Sequence, residues 1–306
     1  MKMRFWGVRG SLPVPGPTTV NIGGNTACIE ITYDDRRVIL DAGTGIKHLG
    51  DYLVRETLSA GPIKTDLFLT HTHWDHIMGF PFFTPIFVPG TEINIYSPVS
   101  HEDEGIESVI GYQLSYRHFP IRQVELSAKL SYRELREENL ELEGGLSIRT
   151  KFLNHPVFCL GYRFEHRGRV ICTVYDHEPY RNVFPTDPSD PSYDEDAARE
   201  GEAAAVEENQ KVLSFLEGAD AVVYDSQYTQ KEYLQSRIGW GHSSFETAIN
   251  NAHKGGVQNL FFFHHDPGRS DKELETLLTG YRKMIGGKTK MNIDMAREGL
   301  VINLKY

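Results

Sequence analysis

Residues 70–83 read THTHWDHIMGFPFF and place His71, His73, Asp75 and His76 within six positions, directly after an apolar run. Imidazole and carboxylate groups crowded in this way are costly to bury unless a positive charge pairs them. His71 and His73, two apart on an extended backbone, aim to the same side. Asp75 and His76 follow as the chain turns towards a helix, and so face a second point nearby. Neutral imidazoles with carboxylates suit zinc, manganese or iron, and the lack of thiolates argues against a structural zinc site of the cysteine type. Density, order and the preceding strand all oppose a merely hydrated polar loop.

The elements that must hold these groups are legible as alternating patterns. TACIEITYD (26–34) and RRVILDAG (36–43) read as a hairpin turning at Asp34 and Asp35, and KTDLFLTHTH (64–73) as a buried strand with a polar tip. Between them Ile46, Leu49, Tyr52 and Leu53 carry helical spacing. Segments 91–99 and 146–153 read as further strands, 163–176 as a hairpin about Arg167 and Gly168, and 219–226 and 257–267 as late strands. SSFETAINNAHKGG between the last two reads as a helix with Ser243 or Ser244 at its N-cap and Gly255 at its stop. Strand–helix–strand alternation implies a layered α/β architecture, with residues 1–306 as one domain carrying insertions near 84–145 and 177–218. The latter, Pro-rich and then acidic, reads as a loop leading into a helix that ends near Glu217.

HTHWDH fits the H-x-H-x-D-H signature, and the chain on this ground resembles the metallo-β-lactamase superfamily. Further pieces follow in order: LDAGTG (40–45), LNHPVFCLGYRFE (153–165), TVYDHE (173–178) and FFFHHDP (261–267) are similar to the remaining motifs of its tRNA 3′-processing and phosphodiesterase branch. The resemblance implies an αββα sandwich and two divalent metal ions. His71, His73 and His155 would hold the first, Asp75, His76 and His264 the second, with Asp176 bridging. His264 is preferred to His265 because it directly follows the strand and stands three before Pro267. Zinc is the expected metal, with manganese or iron as alternatives. Related oxygen-reducing di-iron proteins carry a glutamate where this chain has His73, which favours hydrolysis over redox chemistry. GWGHSSFETA (239–248) resembles the Gly-His-Ser/Thr motif of the same branch, so His242 would protonate the leaving oxygen, oriented by Asp225 from VVYDSQYT (222–229) in place of the commoner glutamate. Asp75 would help orient or deprotonate the attacking water. Asp41 is read as holding loop backbone and metal ligands in place, Trp74 as packing, and Tyr162 as either a phosphate contact or a core residue. His48, His101, His118, His166 and His253 have no motif partners and are read as solvated or packed.

Composition sets the remaining bounds. Hydrophobic residues at 40% and charged residues at 24% describe an ordinary globular chain. No apolar stretch approaches the roughly 20 residues that span a bilayer, and the start lacks a secretory signal. Cys28, Cys159 and Cys172 are too few and scattered for a disulfide framework, so a cytoplasmic location is expected. The net charge of −10 repels polyanions at long range. Only 20 residues separate His155 from Asp176, where tRNA-processing relatives usually carry a protruding arm. Together these disfavour a large nucleic acid. The expected substrate is a small anionic phosphodiester, foremost a 3′,5′-cyclic nucleotide or related cyclic phosphate, with residues 84–145 and 177–218 available to roof the pocket. The alternatives are a tRNA 3′-processing endoribonuclease, an ester or lactone hydrolase and, outside enzymes, a nucleotide-binding sensor. A homodimer is the expected assembly.

Overall fold

The chain opens on a strand that its sequence does not advertise: β1 (Lys2–Gly7) buries Met3, Phe5 and Trp6 although basic residues interrupt them. The structure, a computed structural model, describes residues 1–57, 61–100 and 104–305; His101 lies outside the described residues. β2 (Cys28–Tyr33) and β3 (Arg36–Leu40) form the expected hairpin, with Asp34 at a φ of 48° in its turn. After α1 (Ile46–Thr57) come β4 (Lys64–Phe68), the single-turn α2 (Trp74–Ile77) and β5 (Glu92–Pro98). Next are α3 (Ile106–Gln113), β6 (Lys129–Leu135), β7 (Asn139–Leu142), β8 (Leu146–Leu153), β9 (Cys159–His166) and β10 (Arg169–Val174). The last third runs α4 (Glu195–Leu216), β11 (Ala221–Asp225), α5 (Gln230–Ser236), α6 (Phe245–Lys254), β12 (Asn259–Phe263), α7 (Asp271–Ile285), β13 (Asn292–Met295) and β14 (Val301–Asn303).

Among the described residues these strands make two seven-stranded sheets, ordered β14-β1-β2-β3-β4-β5-β6 and β13-β12-β11-β10-β9-β8-β7. Each is part antiparallel and part parallel: β3 to β6 run parallel in one, β10 to β13 in the other. The parallel strands β11 and β12, AVVYD and NLFFF, are apolar almost throughout because both of their faces are covered. Phe5, Ile29 and Phe68 of one sheet meet Phe164, Val223 and Phe261 of the other in a continuous core. A second apolar layer, with Leu49, Leu53, Phe80 and Phe83, packs α1 and the turns after α2 on the outer face of the first sheet. Helices α4, α6 and α7 cover the second, completing helix, sheet, sheet, helix.

Much of the 84–145 stretch is sheet. EINIYSP and KLSYREL alternate with the period of two that a strand needs, and as β5 and β6 they extend the first sheet, while β7 closes the edge of the second. The 177–218 stretch divides as expected into an irregular lead and a helix. Asp194 caps α4 by accepting from the Ala197 N–H, and Val212, Phe215 and Leu216 bury its last turns. Ser244 caps α6 in the same way, accepting from the Thr247 N–H, and Gly255 ends it. Among the described residues no helix is long and apolar enough to cross a membrane.

Candidate metal centre

The carboxyl ends of the parallel strands open at one rim of the sandwich, where α/β folds commonly bind ligands. Strand β4 delivers His71, His73, Asp75 and His76; β8 leads to His155, β10 to Asp176, β11 ends on Asp225 and β12 leads to His264. The ligand-type atoms fall into three overlapping groups: His71, His73, His155 with Asp176; Asp75, His76 with His264; and Asp176, Asp225, His242 with His264. Asp176 links the first two. Its Oδ2 lies 3.5 Å from His71 Nε2 and 3.7 Å from His155 Nε2, and its Oδ1 lies 3.3 Å from both His76 Nε2 and His264 Nε2. Asp75 Oδ2 completes the second group, 3.1 Å from His264 Nε2 and 3.3 Å from His76 Nε2.

Partners on the far side of each ring fix which nitrogen faces inward. His155 Nδ1 lies 3.0 Å from the Gly241 carbonyl, which can only accept, so that nitrogen carries the proton and Nε2 presents its lone pair. His76 Nδ1 donates to Asp41 Oδ2 at 2.7 Å. Asp41 also accepts from the Thr70 N–H at 2.7 Å and its hydroxyl at 2.9 Å, and Thr70 Oγ1 lies 3.1 Å from His71 Nδ1. Such outer partners set ring orientation and ligand basicity. Four non-glycine residues here occupy the left-handed region, Ser11 (φ 62°), Asp41 (58°), Asp176 (29°) and His264 (59°), strain of the kind that clusters where surroundings impose a side chain's aim.

These donors fit a pair of divalent cations. His71 Nε2 and Asp176 Oδ1 are buried with no hydrogen-bond partner, a costly arrangement that a cation would satisfy. Burial lowers the His71 imidazole and brings His155 down to about 4, so both are neutral at pH 7, as ligation requires. For His76, burial opposes the charged form, but Asp176, Asp75 and Asp41 outweigh it and raise the value. The same carboxylates attract a proton and a cation, which compete for Nε2.

Beside this centre, His242 Nδ1 donates to Asp225 Oδ2 at 2.9 Å. Its ring stacks on His264 at 4.9 Å between centroids and meets His155 edge-on at 5.5 Å. Burial pulls His242 down, yet Asp225, with Asp176 and Asp75 behind it, lifts it to about 9. His265 lies apart: its Nε2 donates to the Ala296 carbonyl at 2.8 Å, and burial holds it near 3. His177 is buried too, accepting from the Asn154 N–H at 3.1 Å. Tyr162 is a core residue whose hydroxyl donates to the Leu69 carbonyl at 2.6 Å, bracing the strand before the histidine cluster. Trp74 does not pack: its indole is 60% exposed.

Four contributors escape a sequence reading. Ser11 donates its N–H to Asp75 Oδ2 at 2.7 Å, and Gln227 reaches the Ser11 hydroxyl at 3.3 Å. Gly10 lies so close to His264 that a Cβ there would come within 2.3 Å of the ring. Glu178 accepts from the N–H groups of Gly239 (2.8 Å) and Gly241 (2.9 Å) and from the Tyr233 hydroxyl (2.7 Å), pinning the loop that carries the Gly241 carbonyl. Glu178 lies inside TVYDHE, but no spacing rule ties it to a loop so far along the chain. A cavity of about 500 Å3 adjoins His155, lined by Glu178, Arg181 and Gly241 among others. A larger one, about 740 Å3, opens at the opposite strand ends around Arg36, Lys64 and Glu92, away from these ligands.

An αββα sandwich with histidines and aspartates gathered at one rim defines a metal-dependent hydrolase, and residues 21–210 match the family model described as the metallo-beta-lactamase superfamily. The chain belongs to that superfamily. Within it, a ribonuclease Z of Staphylococcus epidermidis is 27% identical over 169 residues, 54% of this chain. Over that match the chain spans about half the relative's length, 49%. A ribonuclease Z of Clostridium perfringens is 24% identical over 299 residues, covering 87% of this chain and 88% of that protein. Among solved structures, the metallo-beta-lactamase fold protein YhfI of Bacillus subtilis superposes with a TM-score of 0.64 at 17% identity, covering 98% of both chains. Human tRNase Z, short form, gives 0.63 at 18% identity over 100% of both.

These names correct one expectation. A large nucleic acid was disfavoured on the net charge of −10 and the tight β9–β10 turn, yet the relatives are named for acting on RNA. Whole-chain charge governs the long-range field, whereas bound divalent ions are often the largest charges in a site and set the local one. Neither observation excludes a polynucleotide.

Proposed function

We propose that this chain is a dinuclear metal phosphodiesterase that cleaves an RNA phosphodiester, as a 3′-processing endoribonuclease does. One observation carries this reading: two ligand groups share the Asp176 carboxylate, and the His242–Asp225 pair stands against them. The ribonuclease names of the relatives support RNA over a cyclic nucleotide as substrate.

His71, His73 and His155 would hold one ion and Asp75, His76 and His264 the other, with Asp176 common to both. Zinc suits this all-nitrogen-and-oxygen set, with manganese and iron as rivals. When bound, such a pair makes water a nucleophile at neutral pH and stabilises charge on the attacking and leaving oxygens. The chain's own groups supply the rest. Asp75 Oδ2, steadied by the Ser11 N–H, would help orient or deprotonate the attacking water. His242, held protonated and aimed by Asp225, gives a proton to the departing oxygen.

The test is a screen of precursor tRNA, linear dinucleotides and cyclic nucleotides with zinc-, manganese- and iron-loaded protein. Endonucleolytic cut of the precursor is expected, and His242→Ala should lower it about 100-fold or more with both metals retained. Two bound metals with no phosphodiester turnover would sink the reading. Turnover of cyclic nucleotides alone would remove RNA from it.

A further inference from the structure

Trp240 is 54% exposed and presents a large amphipathic ring to solvent. Its loop is held with unusual firmness. The peptide N–H groups on either side, those of Gly239 and Gly241, both donate to the buried Glu178 carboxylate. Gly239 and Gly241 lie at φ values of 86° and 81°, and at Gly241 a Cβ would come within 2.4 Å of His155 Nδ1, so no side chain fits. On one side of the indole the Arg237 guanidinium lies 4.4 Å from the ring centroid; the same group lies 5.6 Å from the Tyr228 ring, itself 6.2 Å from the ring of His242. An unbroken ladder thus runs from His242 through Tyr228 and Arg237 to Trp240. Its far end sits one residue from the carbonyl that orients His155.

We infer that Trp240, backed by Arg237, is a stacking platform for the nucleobase next to the phosphate engaged at the metal centre. This rests on the phosphodiesterase reading and adds how the substrate is held. Every base has a π-face, so stacking tolerates sequence. The guanidinium polarises one face of the indole and leaves the other for a base. Glu178 removes the loop freedom that binding would otherwise have to freeze.

The probes are 5′- and 3′-adenosine monophosphate against ribose 5-phosphate, titrated by calorimetry into metal-loaded wild-type protein and the Trp240→Ala and Trp240→Phe variants. Being phosphate monoesters, they report binding without any need for phosphodiester turnover. Wild-type protein should bind at least one nucleotide about tenfold tighter than ribose 5-phosphate. Trp240→Ala should bring that ratio close to one while leaving ribose 5-phosphate unchanged, and Trp240→Phe should keep most of it. A ratio of one in wild type, or a ratio that Trp240→Ala leaves intact, overturns the platform, as does failure to bind either probe. A Trp240→Ala protein that only changes its sedimentation mass would assign the indole to a second copy and overturn it too. Base-dependent binding with no cleavage of any phosphodiester would sink the proposed function and spare the platform.

Discussion

Histidine 242 is the residue whose chemistry can be tested most directly. Its raised value, about 9, comes mainly from Asp225, opposed by burial. A step that uses the protonated imidazole is flat at low pH and falls as pH rises through that value. Bound cations add positive charge and draw the fall towards neutrality. Replacing Asp225 by asparagine removes the chief stabiliser of the charged ring, so the alkaline fall of the pH–rate profile should move down by about one to two pH units, with the metal content unchanged. An unshifted profile would show that the leaving oxygen takes its proton elsewhere. The convergence of the candidate ligands is legible in the sequence because each stands at or just past the end of an apolar run, where a strand must end and its side chains reach the rim. Trp74 was misread for the converse reason: an indole beside buried histidines looks like packing, and only the turn into α2 sends it outward.

The 237–241 loop shows what patterns cannot give at the level of elements. Hairpins, the β4 strand and helix α6 follow from local periodicity and caps, signals that span a few residues. By contrast β13 and β14 are short, β1 sets basic residues between its apolar ones, and all three pair at or beside a sheet edge, so neighbouring strands do more to define them than their own pattern. Arg9 is of the same kind: wholly buried, it donates to the carbonyls of Gly23 (2.7 Å) and Arg269 (2.8 Å) and so ties the opening loop to the far end of the chain. Replacing Arg9 by methionine keeps the volume but strands those carbonyls; urea denaturation should report a loss of about 3 kcal/mol. Glu178 makes the companion case. Glu178→Ala leaves two peptide N–H groups and the Tyr233 hydroxyl without their acceptor, which should cost about 3 kcal/mol or more. It should also weaken metal retention at the His155 group, measured by competition with a chromogenic chelator, because the Gly241 carbonyl is no longer fixed. Unaltered metal affinity in a folded Glu178→Ala protein would separate the loop from the centre.

At the scale of the whole molecule, the centre joins elements that are far apart in sequence and belong to different sheets: His71 to His76 hang from the first, His155, Asp176 and His264 from the second. Metal bound there clamps the sandwich at its rim, and a ligand held only by the folded state at a thousandfold excess over its Kd stabilises by about 4 kcal/mol. Chelation should therefore lower Tm by roughly 10 °C. The sign of its pH dependence follows from the metal-free protein. His76 and His242 both have folded values above their ordinary one. Their contribution is complete below about 6.5 and is lost as pH rises through the folded values, near 9 for His242. The metal-loaded form depends less on those protons, since a cation stands in for the one on His76 and, as pH falls, that proton competes it away. The gap in Tm between loaded and chelated protein should thus widen from pH 6 to pH 8.5. Calorimetric scans of both forms across that range decide it, and a gap that narrows or stays at zero would mean the two sheets are held at this rim by protons alone.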